Sequence, residues 1–180
     1  LSNQNFRQAL NYGFDRSATV NAVNPGYKAY NRLVDSNFAG PGGGKFVDEY
    51  PVEAAPLSGD VDKAKEYLAA AMEELGYFDV SQLPQLELIT WDTSEQKLLL
   101  ETIIDQWKQN LGLENIQLTQ YVIGTAIGSF YDLSYDLFSI TWETDVLPTD
   151  IMEAMVTGGE VNYGIWSDAQ FDALVEQAIN

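Results

Sequence analysis

The spacing of hydrophobic positions changes period several times along this chain, and each change marks an element. Phe6, Ala9, Leu10 and Gly13 recur on one face at helical spacing, which predicts a first helix over residues 4–13. Asp15 is placed to cap a second helix over 15–23. Periodicity then stops. Asn24-Pro25-Gly26, Gly40-Pro41-Gly42-Gly43-Gly44, Pro51 and Pro56 break residues 24–59, and a stretch that long is either a functional loop or a covering excursion. Asp60 caps a helix over 61–75, which Gly76 ends.

Residues 86–91 then read as a strand, 94–111 as a helix and 116–121 as a second strand. This is a β-α-β unit, for which a right-handed parallel crossover is the default. A short helix fits 124–132 and a third strand of the same sheet fits 136–142. Pro148 suits the first turn of a helix over 148–156. Ser167 and Gln170 form a capping box for a last helix over 168–179, with Phe171, Leu174, Val175 and Ala178 on one face. There is no internal repeat and no low-complexity segment.

Composition narrows the class. The chain has 180 residues, of which 46% are hydrophobic, enough for one sizeable core. Nine basic residues stand against 27 acidic ones, for a net charge of −18. That argues against nucleic acid or an anionic membrane as a partner, because phosphate binding needs Lys and Arg. Solubility at a cell surface explains the acidity, with a cationic ligand as the sharper alternative. No run of apolar residues reaches transmembrane length. The start, Leu1-Ser2-Asn3, carries no signal pattern and is expected to be a cut within a longer secreted parent.

Candidate chemistry is sparse. The chain contains neither cysteine nor histidine, so thiol nucleophiles, disulfides, Ser-His-Asp systems and His-ligated zinc are excluded. The run from Ala39 to Phe46 has the outline of a phosphate loop. That pattern requires Gly at 39 and Ser or Thr after the lysine, so a flexible turn is expected instead. Glu143 and Asp145 form an acidic pair beside Trp142. Such a pair could serve a glycosidase, although those carboxylates more often come from separate elements, and a capping duty for Asp145 or Thr144 stands beside it.

Several segments, taken in order, resemble one family. Arg7-Gln8-Ala9 through Asp15-Arg16 is similar to an R-Q-A-x-x-x-A-x-D-R signature. The helix over 61–76 resembles A-x-x-L-L-x-x-A-G, and Trp107-Lys108-Gln109-Asn110-Leu111-Gly112 resembles W-K-x-N-L-G. Tyr135-Asp136-Leu137 and Trp142 through Asp145 are similar to Y-D-L followed by W-x-x-D. Asn162-Tyr163-Gly164 through Phe171-Asp172 resembles the segment before the family's next helix. No single motif is specific, but their order holds over nearly the whole chain. The family is that of the family 5 extracellular solute-binding proteins, receptors of ABC importers.

The resemblance implies an α/β fold. Residues 1–180 would form part of the carboxy-terminal lobe of a two-lobed, type II periplasmic-binding-protein-like receptor, a mixed sheet with packed helices. The amino-terminal lobe and the chain end would lie elsewhere in the parent, and 24–59 would cross the lobe surface. It implies capture of oligopeptides between the lobes, delivery to a membrane permease, and a location outside the cell, anchored at its surface or periplasmic. A monomer with no cofactor, no metal and no catalytic residue is expected. In the family the acid of W-x-x-D pairs with the α-ammonium of the peptide and the tryptophan walls the cleft; those residues are Asp145 and Trp142, with Glu143 as a second candidate anchor. Here Leu147-Pro148 follows Asp145 at two and three residues, so the loop is one residue shorter than the family's. Tyr121 ends a strand where the family presents an aromatic, and also suits ordinary strand packing. Asn162, Tyr163 and Trp166 are placed either to meet ligand or to pin their loop. Arg7 and Asp15 have structural duties. The alternatives are a relative that binds oligosaccharides, nickel complexes or another small solute, with Trp91, Trp142 and Trp166 suited to sugar stacking; an interaction module; or a fragment of a glycoside hydrolase.

Overall fold

The computed structural model describes residues 2–32, 34–141 and 148–179. It opens with α1 (Gln4–Tyr12) and α2 (Arg16–Val23), each started by a side-chain cap. Asn3 Oδ1 accepts from Phe6 N at 2.8 Å and Asp15 Oδ1 from Ala18 N at 2.8 Å. These bonds satisfy donors that a helix start would otherwise leave open. The excursion that follows contains a single-turn helix, α3 (Phe46–Glu49), and an antiparallel bridge between Ala39 and Lys45. Its return is tied to the body. Asn31 Nδ2 donates to the Ala55 carbonyl at 2.5 Å, and Leu57 O accepts from Arg16 N at 2.8 Å. Ala55 is buried in the core, so the end of this segment packs onto the body.

α4 (Val61–Leu75) is capped by Asp60 and ends at Gly76. A 3-10 turn at Val80–Gln82 leads to β1 (Leu86–Trp91), then α5 (Ser94–Leu111), β2 (Ile116–Tyr121), α6 (Ile123–Asp132) and β3 (Leu137–Ser139). The three strands form one sheet in the order β2-β1-β3, and all pair in parallel. β1 therefore sits at the centre, flanked by strands reached in opposite directions. α7 (Pro148–Ala154) and α8 (Ala169–Ile179) complete the described elements.

The pleat sends alternate residues of β1 into two cores. Leu86 joins Phe6, Leu10, Leu68, Met72, Trp107 and Leu111, which pack α1, α4 and α5 together. Ile89 faces the other way, onto Ala126 and Phe130 of α6. Around Phe130 stand Tyr135, Phe138 and Tyr163, with ring centroids 5.1–5.9 Å away. Tilted and edge-on rings at this spacing add to the area they bury.

Two expectations need correction. The last helix is not started by a Ser167–Gln170 box: Asp168 Oδ1 accepts from Gln170 N at 2.8 Å and Phe171 N at 3.0 Å. The Ser167 hydroxyl is instead engaged by Thr157 Oγ1 at 3.0 Å. On that helix Val175 alone of the expected face is buried, and Leu174 is exposed. The third strand is also shorter than 136–142. Its first expected residue, Asp136, pairs partly through its side chain, Oδ2 accepting from Glu87 N at 2.9 Å. At the other end Ser139 O accepts from the Thr90 hydroxyl at 2.9 Å, where the ladder stops.

Candidate functional site

In an open parallel sheet, ligands meet the carboxyl ends of the strands, at the point where neighbouring connections diverge. Here that point lies between β1 and β3, because β1 leads through α5 to β2 on one side and β3 returns on the other. The carboxyl edge carries Trp91 and Tyr121 side by side, paired in register, with Ser139 ending the third strand and Ile140 and Thr141 just beyond it.

Side chains of α5 and β2 hold this edge. Thr93 caps α5, its hydroxyl accepting from Gln96 N at 3.2 Å. Gln96 then reaches across the switch point. Its Nε2 donates to Thr141 Oγ1 at 2.7 Å, and its Oε1 accepts from the Ser139 hydroxyl at 3.3 Å and, more loosely, from the Thr90 hydroxyl at 3.5 Å. On the other side Gln120 Nε2 donates to the carbonyls of Trp91 and Thr93 at 3.3 and 3.2 Å. The end of β3 is thus fixed to the start of α5 immediately before residue 142. Two polar atoms near this edge, Trp91 Nε1 and Thr119 Oγ1, are buried without a hydrogen-bond partner.

The residues singled out in the sequence fall into three places. Trp142, Glu143 and Asp145 lie outside the described residues. Tyr121 is at the carboxyl edge as expected, half-buried against the core of Ile89, Ala126 and Phe130. Asn162 and Trp166 are not brought to it. They belong to the loop before α8, beside the amino end of β3. Asn162 is buried and spends its side chain locally, Nδ2 donating to Val156 O at 3.1 Å and Trp166 O at 2.8 Å while Oδ1 accepts from Trp166 N at 3.2 Å. Trp166 is part-exposed and packs on Phe171, ring centroids 5.0 Å apart.

Trp166 also lines a groove of about 990 Å³, together with Arg7, Asn11, Trp107, Asp136 and Phe138. Phe14, Tyr135 and Tyr163 add to its aromatic lining, and it opens at the strands' amino end. Near it the Tyr135 hydroxyl donates to Tyr163 O at 2.9 Å, and burial raises the pKa of both tyrosines. Arg7, half of the signature pair, donates from Nη1 to Ser2 O at 2.7 Å, and Asp15 caps α2, so both act structurally. Among the described residues no three acidic side chains are grouped to hold a metal ion. No described helix is long and apolar enough to cross a membrane. Gln96 and Gln120 escaped the sequence reading, because a glutamine in a first helical turn or at a strand end carries no signal of its partners.

Comparison with known proteins agrees with this architecture. Residues 1–163 match the family described as bacterial extracellular solute-binding proteins, family 5 Middle. The oligopeptide-binding protein OppA of Bacillus subtilis (strain 168) is 26% identical over 181 residues, which is 99% of this chain and 32% of that protein. The dipeptide-binding protein DppE of the same organism is 26% identical over 182 residues, 100% of this chain and 32% of that protein. The chain therefore spans about a third of the length of the curated relatives it matches. Among solved structures, Listeria monocytogenes OppA bound to peptide superimposes with a TM-score of 0.83 at 24% identity, covering 97% of this chain and 34% of that one. That likeness is one of fold, a lobe of the type II periplasmic-binding-protein kind. With a family match over residues 1–163, the chain belongs to the family 5 bacterial extracellular solute-binding proteins.

Proposed function

We propose that this chain is part of the carboxy-terminal lobe of a receptor that captures oligopeptides between two lobes and presents them to the membrane permease of an ABC importer. The observation that carries the reading is the switch point between β1 and β3. Gln96 ties its strand ends together, and the chain runs from them directly into Trp142, Glu143 and Asp145. The curated relatives, named for oligopeptides and dipeptides, favour peptide over sugar or metal complex. The receptor works outside the cell, anchored to the surface or free in a periplasm, as a monomer. Binding and release drive its cycle, and no bond of the ligand is made or broken.

In this reading Asp145 receives the α-ammonium of the peptide. A desolvated ammonium needs a charged partner, and charge-assisted hydrogen bonds are the strong ones. Trp142 walls the cleft beside it. The experiment is a four-way cycle in the full-length parent: wild type and Asp145→Asn, each titrated with one peptide bearing a free or an acetylated amino terminus. Removing one side of a buried, hydrogen-bonded ion pair costs on the order of 2–5 kcal/mol. The free peptide should lose that much and the acetylated peptide far less. A coupling energy near zero moves the anchor to Glu143 or to another part of the receptor.

A further inference from the structure

The glycine run of the excursion, set aside above as a phosphate loop, does cradle an anion, one the chain supplies itself. Glu49, at the end of α3, turns its carboxylate back into the loop. Oε2 accepts from Gly42 N at 2.9 Å and Oε1 from Gly44 N at 2.8 Å, so both oxygens are engaged. The backbone closes the same loop. Gly40 N donates to Gly44 O at 2.8 Å, Gly43 N to Gly40 O at 3.0 Å and Phe46 N to Phe38 O at 2.8 Å. A Cβ at residue 40 would lie 2.5 and 2.6 Å from the two Glu49 oxygens, so only glycine there leaves room for the carboxylate.

We propose that Glu49 is a latch, holding residues 40–46 in a closed conformation that protects the Lys45–Phe46 bond from proteolysis. A glycine-rich segment has more backbone freedom to lose than any other, so closure needs a strong local bond. Two charge-assisted bonds from one carboxylate supply it. Lys45 is exposed, and a protease of trypsin-like specificity would attack after it. Such an enzyme needs the chain extended on both sides of the bond, whereas Lys45 is engaged in the bridge to Ala39. Cleavage therefore waits on opening, and the latch sets how often the loop opens. A member of an extracellular family meets proteases, which gives the device its use.

The test is limited trypsin digestion of the intact protein, with fragments followed by mass spectrometry. Glu49→Ala and Gly40→Ala should each speed cleavage at Lys45–Phe46 by about tenfold or more. Glu49→Gln should fall between, since its amide keeps one accepting oxygen. Gly40→Ala leaves the charges around the bond untouched, which separates a latch from a change in what the protease prefers. Cleavage after Lys63, within α4, reports on the fold and should not change. Equal rates at Lys45 in all four proteins, or a rise at Lys63 that matches the rise at Lys45, overturns the proposal.

Discussion

Trp107 Nε1 donates to the Leu10 carbonyl oxygen at 2.8 Å, and this buried bond joins residues 97 apart in the chain. Its neighbours on α5 do the same work. Gln106 Oε1 accepts from Asp15 N at 2.7 Å, Gln106 Nε2 donates to Thr19 Oγ1 at 2.8 Å, and Asn110 Nδ2 donates to Gly13 O at 2.8 Å. The corner between α1 and α2 has backbone groups that no helix satisfies, and three side chains from one face of α5 pair with them. This gives the Trp-Lys-x-Asn motif a physical reason.

Trp107→Phe should therefore cost more than its change in area suggests. The ring stays apolar, but the Leu10 carbonyl is left buried without that donor. A penalty of about 1–3 kcal/mol is expected. Urea unfolding should show a lower midpoint with an unchanged slope, since the exposed area on unfolding is the same.

Two glycines should respond in opposite senses to alanine. Gly59 has a φ of 71°, and a Cβ there would lie 2.6 Å from Phe14 O, a backbone atom that cannot move aside. Gly59→Ala should destabilise by at least about 1 kcal/mol through strain and steric conflict. Gly124, in the first turn of α6, has nothing within 4 Å of such a Cβ. Gly124→Ala should stabilise by about 0.5–1 kcal/mol through helix propensity. Thermal melts of the two variants test the contrast.

Acid should loosen the docking of α8. Hydrogen bonding from Thr157, side chain first and backbone second, holds the Asp172 carboxyl below its ordinary value of 3.8. Asp79 shifts the same way through Ser81. A carboxylate whose folded pKa is depressed contributes stability that is complete above its unfolded pKa and is lost as pH falls through the folded one. The loss therefore lies below about pH 4. Asp172→Asn keeps an oxygen for Thr157 and removes the titration, so its melting temperature should fall less between pH 4 and pH 2 than that of the wild type. Parallel slopes for the two proteins would remove Asp172 from the acid response.

Elements whose signals are local were legible in the sequence. Asp15 and Asp60 cap the helices they precede, because a cap needs only its own first turn. Strands 86–91 and 116–121 matched because each carries its pattern along its full length. The last helix misled because Ser167 and Asp168 can both cap, and the choice falls to Thr157, ten residues away, which engages the serine hydroxyl. β3 misled because its ends are finished by side chains, Asp136 below and Thr90 above. Asn162 and Trp166 read equally as ligand contacts or loop pins; the hydrogen bonds of Asn162 lie within its own loop. The brace made by Gln96 depends on three segments meeting, and no short window of sequence contains them.

The bond between Trp107 and Leu10 also constrains the order in which the lobe forms. α1 cannot complete its corner until α5 exists, so nearly a hundred residues must be made first. Until then the apolar face of α1, with Phe6 and Leu10, lacks part of its cover. Closing a loop that long carries an entropic cost before any contact rewards it, which slows folding. A chain made in sequence order would therefore pair α1 with α4 first and close the corner only when α5 arrives.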